Sequence, residues 1–125
     1  MAKVLGIGGV FFKAADPKAV RDWYARVLGF DISAWGGVTW PEAAIGQGNW
    51  SVFEASSDYF APSASPFMIN FVVDDLDGVL SKAKAEGAQM VGEPTNDDYG
   101  RFGWLMDPAG VKIELWEPPA ESGKT

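Results

Sequence analysis

Gly103-Trp104-Leu105-Met106-Asp107-Pro108-Ala109-Gly110-Val111-Lys112-Ile113-Glu114-Leu115-Trp116 reads as strand, tight turn, strand. Proline at the second place of Asp107-Pro108-Ala109-Gly110 fixes φ, and glycine at the fourth suits a type I turn. The returning strand alternates. Val111, Ile113 and Leu115 share one face, and Lys112, Glu114 and Trp116 the other. A carboxylate in mid-strand marks either a solvated face or a cavity that wants a negative charge. Partners for Glu114 elsewhere in the chain decide between these.

Working back from the hairpin, residues 67–73 form a strand with Ile69, Phe71 and Val73 on one face and Met68, Asn70 and Val72 on the other. Asp74-Asp75 then starts a helix carrying Leu76, Val79, Leu80 and Ala83, which ends at Gly87. Residues 88–91 read as a strand. Asn96-Asp97-Asp98-Tyr99-Gly100 reads as a polar loop whose aspartates are solvated or rim a pocket.

The first part of the chain has the same plan. Residues 5–14 form a strand with Val10, Phe12 and Ala14 on one face and Gly9, Phe11 and Lys13 on the other. Asp16 caps a helix with Pro17 at its first position. Ala19, Val20, Trp23, Val27 and Leu28 have helical apolar spacing, Lys18, Asp22 and Arg26 mark the wet face, and Gly29 ends the helix. Residues 30–35 read as a strand, Gly36-Gly37 as a turn, and Val38-Thr39-Trp40 with Ala43-Ala44-Ile45 as a short strand interrupted by Pro41. Gly46-Gln47-Gly48-Asn49 is a further turn, and residues 50–55 a strand with Glu54 near its end.

The chain therefore carries a repeat of roughly sixty residues. Glu54 and Glu114 are assigned equivalent places near the ends of the two units. Fold class α+β follows. Residues 1–125 make a single domain of two βαβββ modules, 5–55 and 67–118, paired into a curved mixed sheet that encloses a cleft, with helices on the outer face. Neither module buries a good core alone. Residues 56–66, rich in Ser and Pro, form the linker. Its Tyr59-Phe60 pair packs either against the outside of the domain or over a pocket as a lid.

Composition narrows the function. The chain is 47% hydrophobic and 22% charged, which supports a core and argues against disorder. A net charge of −7 without a basic stripe argues against nucleic acid and an anionic membrane surface as partners, and favours a cationic ligand. The absence of Cys and His removes disulfides, thiolate sites, the commonest general base and the commonest transition-metal ligand. No run is long and apolar enough for a membrane span, and a cytoplasmic location is expected.

The stretches VFFKAADPKAVRDWYARVLGF, INFVVDDLDGVLSKAKAEGA and GRFGWLMDPAGVKIELWEP resemble the vicinal oxygen chelate superfamily, which includes glyoxalases, bleomycin resistance proteins and extradiol dioxygenases. The resemblance implies a divalent metal in the cleft, held by a His on the first strand and a Glu on the last strand of each half. Here Gly9 and Met68 stand at the two His places, while Glu54 and Glu114 keep the carboxylates. Zinc and nickel favour N and S ligands and are poorly served. Mg²⁺, Mn²⁺ or Ca²⁺ on Glu54, Glu114 and water, with Asn70 in reach, is the metal reading. Without His, iron held by two His and a carboxylate is excluded, which argues strongly against a ring-cleaving dioxygenase.

Three readings of the two glutamates stand side by side: ion pairs with Lys13 or Lys112, a ligand-facing role, or a metal site. Phe11, Trp50, Met68, Asn70 and Trp116 are expected to line the same cleft with Lys13 and Lys112. Two function classes follow. One is a metal-free protein that sequesters a small molecule, similar to the family's drug-binding members. The other is a lyase or isomerase in which Glu54 or Glu114 acts as a base. The resemblance also implies a homodimer.

Overall fold

The structure is a computed structural model that describes residues 2–40 and 48–119, and only the backbone of Val27 and Leu28. The elements follow as β1 (Val4–Ala14), α1 (Pro17–Leu28), β2 (Gly37–Trp40), β3 (Gly48–Glu54), β4 (Phe67–Val73), α2 (Leu76–Ala85), β5 (Gln89–Met90), β6 (Thr95–Asp97), β7 (Gly100–Met106) and β8 (Lys112–Glu117). All eight strands join one mixed sheet in the order β2-β3-β1-β4-β8-β7-β5, with β6 paired to β7. β1 and β4 run antiparallel at its centre. On one side β3 is parallel to β1 and β2 antiparallel to β3. On the other, β8 is parallel to β4 and β7 antiparallel to β8.

Each parallel pair needs a crossover, and each crossover contains a helix. Asp16 caps α1 by accepting from the Ala19 N–H, and Asp75 caps α2 by accepting from Gly78. Both helices stop at glycines with left-handed backbone nearby, Gly29 at φ +73° and Gly87 at φ +89°. The helices cover one face of the sheet with two cores. Val38, Trp50 and Val52 pack with Phe12, Val20, Tyr24 and Phe30 beneath α1. Val73, Leu76 and Leu115 pack with Phe71, Val79, Leu80 and Ile113 beneath α2.

Several local expectations are corrected. Residues 30–35 form no strand: Phe30 and Ile32 turn into the α1 core. The following turn is tied down by Arg21, which donates to the carbonyls of Gly36 and Val52, both at 2.9 Å. Trp23 is exposed, and Tyr24 takes the inward place, 4.5 Å from Trp50 between ring centroids. Gly48 and Asn49 begin β3 rather than forming a turn, while Pro41, the Ala43-Ala44-Ile45 strand and Gly46-Gln47 lie outside the described residues. The polar stretch after residue 94 supplies β6, which pairs with β7 from Thr95↔Phe102 to Asp97↔Gly100.

Along the sheet β7 lies five strands from β2, about 24 Å if the sheet were flat. Residues beside both strands nevertheless line one cleft, so the sheet curls around it, on the face away from the helices.

Candidate functional site

The β7–β8 turn sets the site. Gly110 donates to the Asp107 carbonyl at 3.1 Å, closing the type I turn, and takes φ +86°. The Asp107 side chain accepts from Ala109 and Val111, which fixes the loop. A type I turn followed by a left-handed glycine holds one hairpin register. That register places Trp104 opposite Glu114 and Phe102 opposite Trp116. Lys112, Glu114 and Trp116 face the cleft side, and Ile113 and Leu115 enter the α2 core.

Glu114 is 2% exposed and accepts three hydrogen bonds. Asn70, its cross-strand neighbour on β4, donates Nδ2 to Oε1 at 2.8 Å. Trp104 donates Nε1 to Oε2 at 2.9 Å. Tyr59 donates its hydroxyl to the same Oε2 at 2.5 Å. The carbonyl oxygen of the Asn70 amide has no partner among the described residues, and it points at Gly8, where a Cβ would collide with it.

Tyr59 belongs to the segment between the halves. Its ring stacks on Phe53 at 5.5 Å, while Phe60 beside it is fully buried. Ser63 donates to the Gly110 carbonyl and ties the segment to the hairpin turn. The Tyr59-Phe60 pair thus packs on the cleft face, not on the outside of the domain. Burial, then the charge of Glu114, pushes the Tyr59 hydroxyl far above its ordinary value of 10.0, so it serves as a donor. Lys112 is buried, donates Nζ to the Tyr59 carbonyl at 2.5 Å and lies 5.1 Å from the Tyr59 ring centroid. Burial lowers its pKa, opposed by the charges of Glu114 and Asp58.

Beyond this floor opens a cleft of about 550 Å³. Its walls are aromatic: Phe11, Trp35, Tyr99, Phe102 and Trp116. Thr39, Asn49, Asn70 and Glu114 supply the polar lining. Thr39 donates its hydroxyl to Asn49 Oδ1 at 2.6 Å, and Asn49 Nδ2 donates to the Gly8 carbonyl at 3.0 Å. Among the described residues Glu114 is the one formal charge on the lining.

Phe11, Asn70, Glu114 and Trp116 are therefore brought together as expected, and other expected members are not. Trp50 pairs with Val10, and its ring lies in the α1 core on the far face of the sheet. Met68 is fully buried and lines no open surface of the cleft. Lys13 lies off the lining, with Nζ 5.2 Å from the Phe60 ring centroid. Glu54 is exposed at the end of β3, on the opposite face from Phe53.

The register explains the misplacement of Glu54. Matching the capping residues Asp16 and Asp75 matches Phe11 with Asn70. Phe11 pairs with Ser51 where Asn70 pairs with Glu114, so Ser51 is the counterpart of Glu114. Glu54 lies three residues further along β3, and an odd slip moves a side chain to the other face. Among the described residues, ion pairs join Lys18 to Asp22 and Arg101 to Asp77 and Glu117, and neither Glu54 nor Glu114 takes part.

The site residues do not fit the divalent metal that the resemblance implies. Gly9 has no side chain to offer, Met68 is a soft thioether, and Glu54 is on the wrong face. The Glu114 oxygens already face three N–H and O–H donors, whose hydrogens a cation would have to displace. No cluster of three or more Asp, Glu, His or Cys that could hold a metal occurs among the described residues.

Sequence reading missed Trp104, although the turn and its register put it opposite Glu114. It also missed Phe102, which the same register puts opposite Trp116, and Trp35, Thr39, Asn49 and Tyr99, which lie outside the hairpin and share no local signal with it.

Comparison with known proteins now fits this geometry. A family model described as a glyoxalase-like domain matches residues 9–116. CFP32 of Mycobacterium bovis and of Mycobacterium tuberculosis, which carries the name glyoxylase, is 31% identical over 111 residues covering 82% of this chain. The chain spans about 40% of the length of those relatives. Streptomyces coelicolor methylmalonyl-CoA epimerase in complex with 2-nitronate-propionyl-CoA superimposes with a TM-score of 0.72 at 18% identity, over 94% of this chain and 100% of that one. The Mycobacterium tuberculosis methylmalonyl-CoA epimerase gives 0.67 at 21% identity, over 98% and 93%. The chain belongs to the glyoxalase-like domain family, within the vicinal oxygen chelate superfamily.

Proposed function

We propose that the cleft sequesters a small organic molecule with an apolar body and a cationic or N–H-donating group that meets Glu114. The observation that carries this is the lining itself: aromatic walls and one buried carboxylate, with no cationic side chain among the described lining residues. A ligand acid group at the lining would face Glu114, while the nearby cation Lys112 lies off the lining and is turned to the Tyr59 carbonyl, which makes an anion unfavourable in a site shielded from water. A protonated amine would gain a charge-assisted hydrogen bond to Oε1, which has one partner. The net charge of −7 favours the same ligands at long range.

Titration of tryptophan fluorescence with amantadine and proflavine as cations, and adamantane carboxylate as an anion, tests this. The cations bind, the anion does not, and Glu114→Gln weakens the cations at least about tenfold. Absence of any response at millimolar cation removes the proposal.

A second reading is a lyase or isomerase in which Glu114 takes a proton from carbon next to a carbonyl. It is favoured by the single-partner Oε1 on an apolar cleft. Deuterium exchange into small ketones and aldehydes, abolished by Glu114→Gln, would support it. No exchange above the buffer rate would end it. Cation-independent function, with neither Mg²⁺, Mn²⁺ nor Ca²⁺ raising the melting temperature, belongs to both readings. A homodimer is proposed as well. Leu5 and Ile7 of β1 and Phe67 of β4 leave large apolar side chains exposed, and sedimentation equilibrium decides it.

A further inference from the structure

Residues 56–66 leave the sheet on one side of β1 and rejoin it on the other, since Glu54 pairs with Ala14 and Phe67 with Phe12. The segment carries its own scaffold. Ser57 donates its N–H to the Glu54 carbonyl at 3.0 Å, Ala61 to that of Asp58 at 3.0 Å and Ser63 to that of Phe60 at 2.9 Å. The hydroxyls of Ser57 and Ser63 accept from the N–H groups of Tyr59 and Ser65 at 3.1 and 3.0 Å. A compact surface loop built on its own hydrogen bonds can loosen as one unit without breaking the sheet.

Apart from its two ends, and among the described residues, the hydrogen bonds of this segment to the rest of the fold all go to the β7–β8 hairpin. Ser63 donates Oγ to the Gly110 carbonyl, Lys112 donates Nζ to the Tyr59 carbonyl, and Tyr59 donates its hydroxyl to Glu114 Oε2, each at 2.5 Å. Ring packing supplies the anchor. Phe60 is fully buried with its ring 5.0 Å from that of Phe53, while Tyr59 remains 38% exposed. The carboxylate that forms the floor of the cleft is therefore also the catch of the segment. Its negative charge is shared among its donors. A cation at Oε1 leaves less of it for the Tyr59 hydroxyl at Oε2, and loss of the hydroxyl leaves more of it for a cation.

We infer that residues 56–66 are a strap latched on the ligand's own carboxylate, so that a cationic ligand and the closed strap compete for Glu114. The inference deepens the proposed function by naming the regulation of that cleft, and it rests on Glu114 being the group the ligand meets. The competition is reciprocal by linkage: a cation on Glu114 loosens the strap, and a loosened strap raises the affinity for the cation by the same factor. Opening turns Tyr59 off the carboxylate while Phe60, packed on Phe53, keeps the strap attached.

Two variants open the latch at different places. Tyr59→Phe removes the hydroxyl on Glu114 and keeps the ring. Ser63→Ala removes the bond to Gly110 and leaves all three donors of Glu114 in place, so it separates a moving strap from a local effect on the carboxylate. Hydrogen–deuterium exchange in residues 57–65 rises about tenfold in each variant, while exchange in β4 stays within about twofold of the parent. Amantadine, followed by tryptophan fluorescence, binds each variant about fivefold tighter than the parent, and saturating amantadine speeds strap exchange in the parent. Equal or weaker binding in Tyr59→Phe overturns the competition and makes the hydroxyl a fixed support of the carboxylate. Tighter binding in Tyr59→Phe with Ser63→Ala silent also overturns it, as does strap exchange slowed by amantadine. The two proposals fail separately. Amantadine that binds the parent through Glu114 with no response of the strap retains the cationic ligand and removes the latch. Binding that appears only in Tyr59→Phe and Ser63→Ala, and is lost again when Glu114→Gln is added, retains the latch and removes binding by the parent. Amantadine silent toward all three proteins removes both.

Discussion

The two halves of the sheet share a backbone plan and put different chemistry on it. At matched register the first half presents Phe11 beside Ser51, and the second presents Asn70 beside Glu114. Each pair sits on a parallel ladder next to the central β1–β4 junction, and each half hangs its helix from an aspartate cap. At this matched position the first half therefore contributes an aromatic ring and a hydroxyl, and the second a carboxylate with its amide donor. Tyr59 belongs to neither ladder and reaches Glu114 from the connecting segment. A repeated fold makes positions equivalent; the site depends on which of them has partners.

The most severe test of this asymmetry is Ser51→Glu, which writes the second half's carboxylate into the first. Ser51 is 4% exposed, and its partners on the two flanking strands, Phe11 and Gly37, carry no polar side chain. A loss of about 4 kcal/mol in urea unfolding is expected. A stable Ser51→Glu protein would show the halves to be interchangeable. Next comes Glu114→Ala, which strands the donors of Asn70, Trp104 and Tyr59 and costs about 3 kcal/mol together with cation binding. The same change at Glu54 stays within about 0.5 kcal/mol and leaves binding untouched. Equal effects at both glutamates would restore the simple equivalence that the register denies.

Tyr59→Phe keeps the stacked ring and removes one hydrogen bond to a charge, an expected loss of about 1.5 kcal/mol at neutral pH. Because the Tyr59 pKa is raised in the folded protein, the folded state keeps a proton that the unfolded chain releases above pH 10.0. The Tyr59 contribution is thus complete below that pH and falls away above it. The stability gap between parent and Tyr59→Phe narrows in alkali, and a gap constant to pH 11 would contradict the donor role of the hydroxyl. The smallest effects are the caps. Asp16→Ala and Asp75→Ala cost about 1 kcal/mol each, and a clear inequality between them would show that the halves differ in their scaffold as well as their chemistry.

The hairpin turn, the two capped helices and the two-faced strands were legible because each rests on neighbours in sequence. Proline and glycine at fixed places in residues 107–110 dictate the turn, and alternation assigns the faces of Lys112, Glu114 and Trp116. Counting from the end of a strand failed for Glu54, since pairing register is a property of two strands and neither alone contains it. Alternation likewise leaves open which face of β3 meets the helix, and Trp50 went to the α1 core.

By itself the sequence determined the duplicated α+β plan, the lack of imidazole and thiolate ligands, and a strand carboxylate at Glu114. The tertiary structure alone decided that this carboxylate is buried under Tyr59, Trp104 and Asn70, that Ser51 rather than Glu54 is its counterpart, and that Trp35 and Tyr99 both line one cleft. The physical reason is distance along the chain: local dihedral preferences and periodicity act within a few residues, whereas Tyr59 and Glu114 are brought together by sheet pairing and loop packing across the fold.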